Sequence, residues 1–246
     1  MEKGFNYIGF YGGILNTMTI YGPLLPYMVD EKALFTHTKS LYEMENNKSF
    51  DLLSEKEQQD KYDIVSGDIM FNGELIIINM VVVVATIIEM INRDFFYFVF
   101  LTKPEKLKYC LVLKDRALLE LGFSVDEFLK YKTKSDYIKV LCQRASTMCN
   151  SGPITKIIKR MKDLTKINID AQLTERIVEL YEIRNNYIHE HKQREIDIDI
   201  FEKLVNAAFF YLKRVTRKMM EYNVMIISPD GFLNELMEDE HVPDIV

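Results

Sequence analysis

An all-α helical bundle is the fold class the sequence predicts, and three observations carry the expectation. The 246 residues hold only 10 Gly and 6 Pro, so turns are few and long helices are favoured over many short strands. Hydrophobic residues make up 48% and charged residues 28%, too apolar for disorder and enough to bury a sizeable core. Beyond residue 64 the chain reads as a succession of helical patterns bounded by start and stop signals.

The elements follow in order. Residues 1–63 read as an apolar, irregular N-terminal segment and a connector. Within it, 1–40 are aromatic and punctuated by Gly and Pro, and 41–63 are charged and polar, a surface helix or connector. From 64 to 101 runs an apolar segment with four valines at 81–84 and "FFYFVF" at 95–100. Its β-branched content is compatible with strand, but its length and the absence of Gly or Pro after Gly73 predict a long buried helix. Pro104 suits the first position of a helix over 104–121 that stops at Gly122. Helical patterns recur at 125–131, 134–149, 153–166 and 172–191, with Ser151-Gly152-Pro153 as a break. Asp197 or Asp199 can cap a last helix to about Tyr222, closed by Asn223. The bundle thus spans 64–222, and 223–246 is a tail with a turn at Pro229-Asp230-Gly231 and an acidic end.

Two uncharged stretches raise the question of a membrane. Residues 4–29 hold five Gly, two Pro and four Tyr, without the compact apolar centre of a secretory signal. The run "LIIINMVVVVATII" at 75–88 lies between Glu74 and Glu89 and is 14 residues long. A bilayer needs roughly 18 to 20. Both read as protein interior, which predicts a cytoplasmic protein with no membrane contact.

Net charge is −6, which argues against a general nucleic-acid coat. The charge is uneven: residues 101–170 carry 15 Lys/Arg against 8 Asp/Glu, and the rest carry 16 against 29. A basic middle in an acidic chain is either solvated helix surface or a local phosphate-binding face. Its densest part, "TKIIKRMKDLTK", places Lys156, Lys159, Arg160, Lys162 and Lys166 mostly along one helical flank. Lys156, Lys159 and Arg160 are the candidate phosphate contacts of such a face. Cys110, Cys142 and Cys149 form no CxxC and have no neighbouring His, so no metal site and no cofactor is expected. Cys142 and Cys149 lie seven apart, one helix face, as small buried groups. No P-loop, GxGxxG, HExxH or GxSxG is present.

One stretch breaks the bundle pattern: "EIRNNYIHEH", Glu182 to His191. At 100° per residue, Ile177, Leu180, Tyr181, Tyr187 and Ile188 fall within about 60° of Arg184. Glu175, Glu179, Glu182, Asn186 and Glu190 fall opposite. Arg184 therefore projects from an apolar stripe, where a guanidinium is costly unless paired. Either it meets an acidic partner as a structural bridge, or the break marks a functional site.

Arg184-Asn185-Asn186-Tyr187-Ile188-His189 resembles the signature of the HEPN superfamily (higher eukaryotes and prokaryotes nucleotide-binding), an Arg followed after four to six residues by His, often with Asn after the Arg. The amphipathic helix before it and the long helix after it are similar too, so the resemblance covers about 172–222. It implies a metal-independent endoribonuclease, a toxin or abortive-infection effector in phage defence. His189 and Arg184 would then be catalytic, with Asn185 orienting them and a homodimer joining two motifs in one cleft. His189 meets the four-residue spacing and His191 the six-residue spacing; His189 is assigned, with His191 as helper or cap. Tyr187 is either a base-stacking group or a core tyrosine. No nucleotidyltransferase sequence lies in this chain, which leaves open an antitoxin or regulatory partner. The other readings are a non-catalytic HEPN-like module that binds nucleotide, RNA or protein, and a structural oligomerisation protein.

Overall fold

The uncharged run 75–88 is the middle of one 48-residue helix, Glu55–Thr102, about 72 Å long at 1.5 Å per residue. The computed structural model describes residues 4–22, 26, 28, 30–112, 128–190 and 198–229. Its α-helices are α1 (Tyr7–Tyr21), α2 (Glu31–Asn46), α3 (Glu55–Thr102), α4 (Lys134–Cys149), α5 (Ile154–Thr165), α6 (Ala171–Glu190) and α7 (Ile198–Glu221). Short 3-10 helices cover Phe50–Leu52 and Pro104–Val112. Among the described residues there is no strand, only an isolated bridge between Phe5 and Ile226. The fold is an all-α bundle.

The centre is α3. Val81, Val84, Ala85, Ile88, Ile91, Phe95, Phe96 and Phe100 are fully buried along it, against α4, α7, α1 and α6. It begins at Glu55 rather than near 64, because Ser54 builds a capping box. The Glu57 carboxylate accepts from the Ser54 N–H at 2.9 Å, and the Ser54 hydroxyl accepts from the Glu57 N–H at 3.4 Å. By length and composition α3 could cross a membrane, yet 44% of its most apolar window is buried within the protein.

The described residues among 1–40 are largely helical rather than the irregular chain expected of them. Asn6 caps α1 by accepting from the Gly9 N–H at 3.1 Å, and Asp30 caps α2 by accepting from the Ala33 N–H at 2.9 Å. The glycines that suggested breaks act in packing: a Cβ on Gly13 would lie 3.0 Å from Ile87 Cδ1, so glycine lets α1 approach α3 closely. Tyr7, Phe10 and Ile14 bury into the main core. A smaller cluster forms where α2 meets the start of α3, with the Phe50 ring 5.7 Å from Phe35 and 5.6 Å from Tyr42.

Of the helix expected over 104–121, the described part, Pro104–Val112, is a 3-10 helix. Residues 113–127, with the stop at Gly122 and the start of the 125–131 pattern, lie outside the described residues, as do Asp197 and the Asp230-Gly231 part of the tail turn; of 128–131 only Phe128 is helical. Helices α4, α5 and α6 match expectation within one or two residues, and Gly152 breaks the chain at φ +90°. Asn223 closes α7 in the left-handed region at φ 57°.

Candidate functional site

The motif occupies the last two turns of α6. Asp170 starts this helix by accepting from the Leu173 N–H at 2.7 Å. Ile177, Leu180, Tyr181 and Ile183 are buried, and then the burial fades. Tyr187 is half-buried against the core, Ile188 is 40% exposed, and Asn185 and His189 are exposed. The apolar stripe expected to run through Ile188 thus thins past Ile183 and ends at Tyr187, where the helix leaves the core.

Arg184 is paired inside the chain. Its Nη1 lies 3.2 Å from Glu89 Oε1 on α3, with side-chain exposures of 24% and 37%. The same nitrogen donates to Asn185 Oδ1 at 3.2 Å. Asn150, at the C-terminus of α4, donates to the Glu89 backbone carbonyl at 3.0 Å. Three helices therefore meet at Glu89. The expected unpaired buried cation is absent, and the acidic-partner alternative describes what the lone chain does. That removes the desolvation argument for a homodimer.

Below this pair lies a polar layer. The Tyr211 hydroxyl, fully buried on α7, donates to Asn92 Oδ1 at 2.6 Å and lies 3.1 Å from Met161 Sδ. Asn92 is one turn along α3 from Glu89. Burial raises both the Tyr181 and the Tyr211 phenol, and the Glu89 charge raises Tyr181 further, so both stay protonated at neutral pH. Arg184 Nε, Asn150 Oδ1, Tyr181 OH and Asn92 Nδ2 are buried with no hydrogen-bond partner among the described residues. Buried polar atoms of this kind are met by ordered water.

The remaining candidates are placed as follows. Lys156 is exposed on α5. Lys159 pairs with Asp163 at 2.8 Å. Arg160 donates to the carbonyls of Cys149 at 2.8 Å and Ser151 at 2.6 Å, so its guanidinium closes the end of α4. His191 lies outside the described residues. Sequence reasoning missed Glu89 and Asn150. The signal for Glu89 was present, as the carboxylate ending the uncharged run; Asn150 was legible only as the residue before Ser151-Gly152-Pro153.

Chemically, the exposed end of α6 offers an imidazole for proton transfer and a partly exposed guanidinium held by a carboxylate. A scan against protein-family models and searches of curated proteins and of solved structures match nothing.

Proposed function

We propose that the chain is a metal-independent ribonuclease of HEPN type, a toxin or abortive-infection effector that cleaves RNA in the cytoplasm. The observation that carries the reading is Arg184, Asn185 and His189 on the exposed end of one helix, with Arg184 hydrogen-bonded to Asn185 and His189 open to solvent. Neutral His189 would take the proton from a ribose 2′-OH as that oxygen attacks the adjacent phosphate. The imidazolium would then protonate the leaving 5′-oxygen, and Arg184 would hold the charge that builds on the phosphate. Substrate with 2′-deoxyribose at the scissile position is expected to resist, because the attacking oxygen is missing. Equal cleavage of the deoxy substrate would end this reading.

One motif per chain gives one Arg–His set, so the reading includes a homodimer. Its support is apolar surface beside the motif: Ile188 next to His189 is 40% exposed, and Met90 next to Glu89 is 42% exposed. On the order of tens of micromolar, light scattering is expected to give twice the 29.0 kDa of the chain. Ile188→Asp should return it to a monomer with an unchanged helical circular dichroism spectrum. A monomeric wild type removes the dimer.

The Arg184–Glu89 pair favours a second reading, a non-catalytic module in which Arg184 is a strut. Glu89→Gln separates the two. If Arg184 serves phosphate, losing the competing carboxylate should tighten RNA binding about fivefold at low salt. If it is a strut, melting temperature falls and RNA binding does not change.

A further inference from the structure

In sequence Cys142 and Cys149 read as small buried groups on one helix face, and Cys110 as unrelated to either. The fold brings two of them together: Cys110 Sγ, on the 3-10 segment Pro104–Val112, lies 3.7 Å from Cys149 Sγ at the end of α4. They are 39 positions apart in sequence, and both are fully buried. A disulfide bond is about 2.05 Å long, so the sulfurs need to close by less than about 2 Å.

We propose that Cys110 and Cys149 are a modification site, a thiol pair that hydrogen peroxide converts reversibly to a disulfide fastening the Pro104–Val112 segment to the α4–α5 corner. The segment that must move is the weaker of the two. It is nine residues of 3-10 helix, a geometry with poorer hydrogen bonds that is uncommon beyond three or four residues. Local opening there would give a small oxidant access to the buried sulfurs. Arg160 sets a cation beside the pair by its hydrogen bonds to the Cys149 and Ser151 carbonyls at 2.8 and 2.6 Å.

The two sulfurs have different roles. A hydrogen bond from Cys149 and the nearby Arg160 charge hold the Cys110 thiol below its ordinary value, against the effect of burial. The same hydrogen bond and burial push Cys149 up, which leaves it protonated. Cys142 is the bystander, its thiol pushed up to about 11 by burial. Cys110 thiolate attacks one peroxide oxygen, the O–O bond breaks, and Cys110 becomes a sulfenic acid as hydroxide leaves. Cys149 sulfur then attacks Cys110 sulfur, the S–S bond forms, and the sulfenic oxygen departs with the Cys149 proton as water. Two thiols are oxidised, one peroxide is reduced, and two waters result once hydroxide is protonated.

The test is peptide mapping of the folded, full-length chain after peroxide treatment, without reductant. Trypsin separates all three cysteines, onto residues 109–114, 140–144 and 145–156. The expected product joins 109–114 to 145–156, weighs about 2 Da less than the two peptides, and reverts with dithiothreitol. Cys142→Ser should leave this product in place, and Cys149→Ser should stop Cys110 at a sulfenic acid that dimedone traps. Crosslinks through 140–144, disulfides only between chains, or three intact thiols at a peroxide dose that oxidises the urea-unfolded chain would each overturn the proposal.

Discussion

Alanine at His189 or at Arg184 is expected to lower RNA cleavage by about a hundredfold to ten-thousandfold, with helical content retained. The two lesions differ in what they leave. His189 is exposed, so its removal takes away proton transfer and little packing. Arg184→Ala also strands the Glu89 carboxylate, and some loss of melting temperature should accompany the loss of activity. Arg184→Lys keeps the charge without the fork that grips a phosphate, and should recover part of the stability and little of the rate. His191→Ala should be the milder histidine variant. If the two histidines exchange effects, the family reading stands and the proton-transfer residue moves to His191. Cleavage unchanged in the His189, His191 and Arg184 variants alike would contradict the proposed site.

The largest stability effect should come from the buried C-terminal part of α3. Phe96 is fully buried and stacks with Phe100 at 6.4 Å between ring centroids. Phe96→Ala removes that contact and leaves a cavity, a change that costs about 3–5 kcal/mol. Folded domains hold only about 5–15 kcal/mol, so this single change should bring the chain close to unfolding. Phe71 lies on the same helix but is 50% exposed, and Phe71→Ala should cost within about 0.5 kcal/mol. Urea titrations followed by circular dichroism make the comparison. Equal costs at the two positions would mean that the helix is not buried where the fold places it.

Much of this architecture was legible in the residues themselves. Scarcity of Gly and Pro and the apolar run from Leu75 to Phe100 announced a helical core, and the break at Ser151-Gly152-Pro153 fell where the chain turns. The N-terminal helices were not legible. There Gly9, Gly12 and Gly13 suggest irregular chain by propensity, whereas Asn6 capping and the fit of Gly13 against Ile87 make it helix. At the motif, periodicity put Arg184 on the packing face but could not reveal how far the core extends or what lies opposite. The Glu89 partner is 95 positions away, and only the tertiary fold brings it to 3.2 Å. The same limit hid Cys110 beside Cys149, because spacing relates residues within one helix and says nothing across two.

In the proposed reaction the exposed end of α6 cuts RNA through a ribose oxygen activated by imidazole. The direct measurement is the chemistry of the ends produced when the purified chain is incubated with an RNA oligonucleotide in EDTA, read by mass spectrometry. A 2′,3′-cyclic phosphate on one fragment and a 5′-hydroxyl on the other, both absent with His189→Ala, is the expected result. Products ending in 3′-hydroxyl and 5′-phosphate, or cleavage that stops with EDTA and survives loss of either histidine, would contradict it.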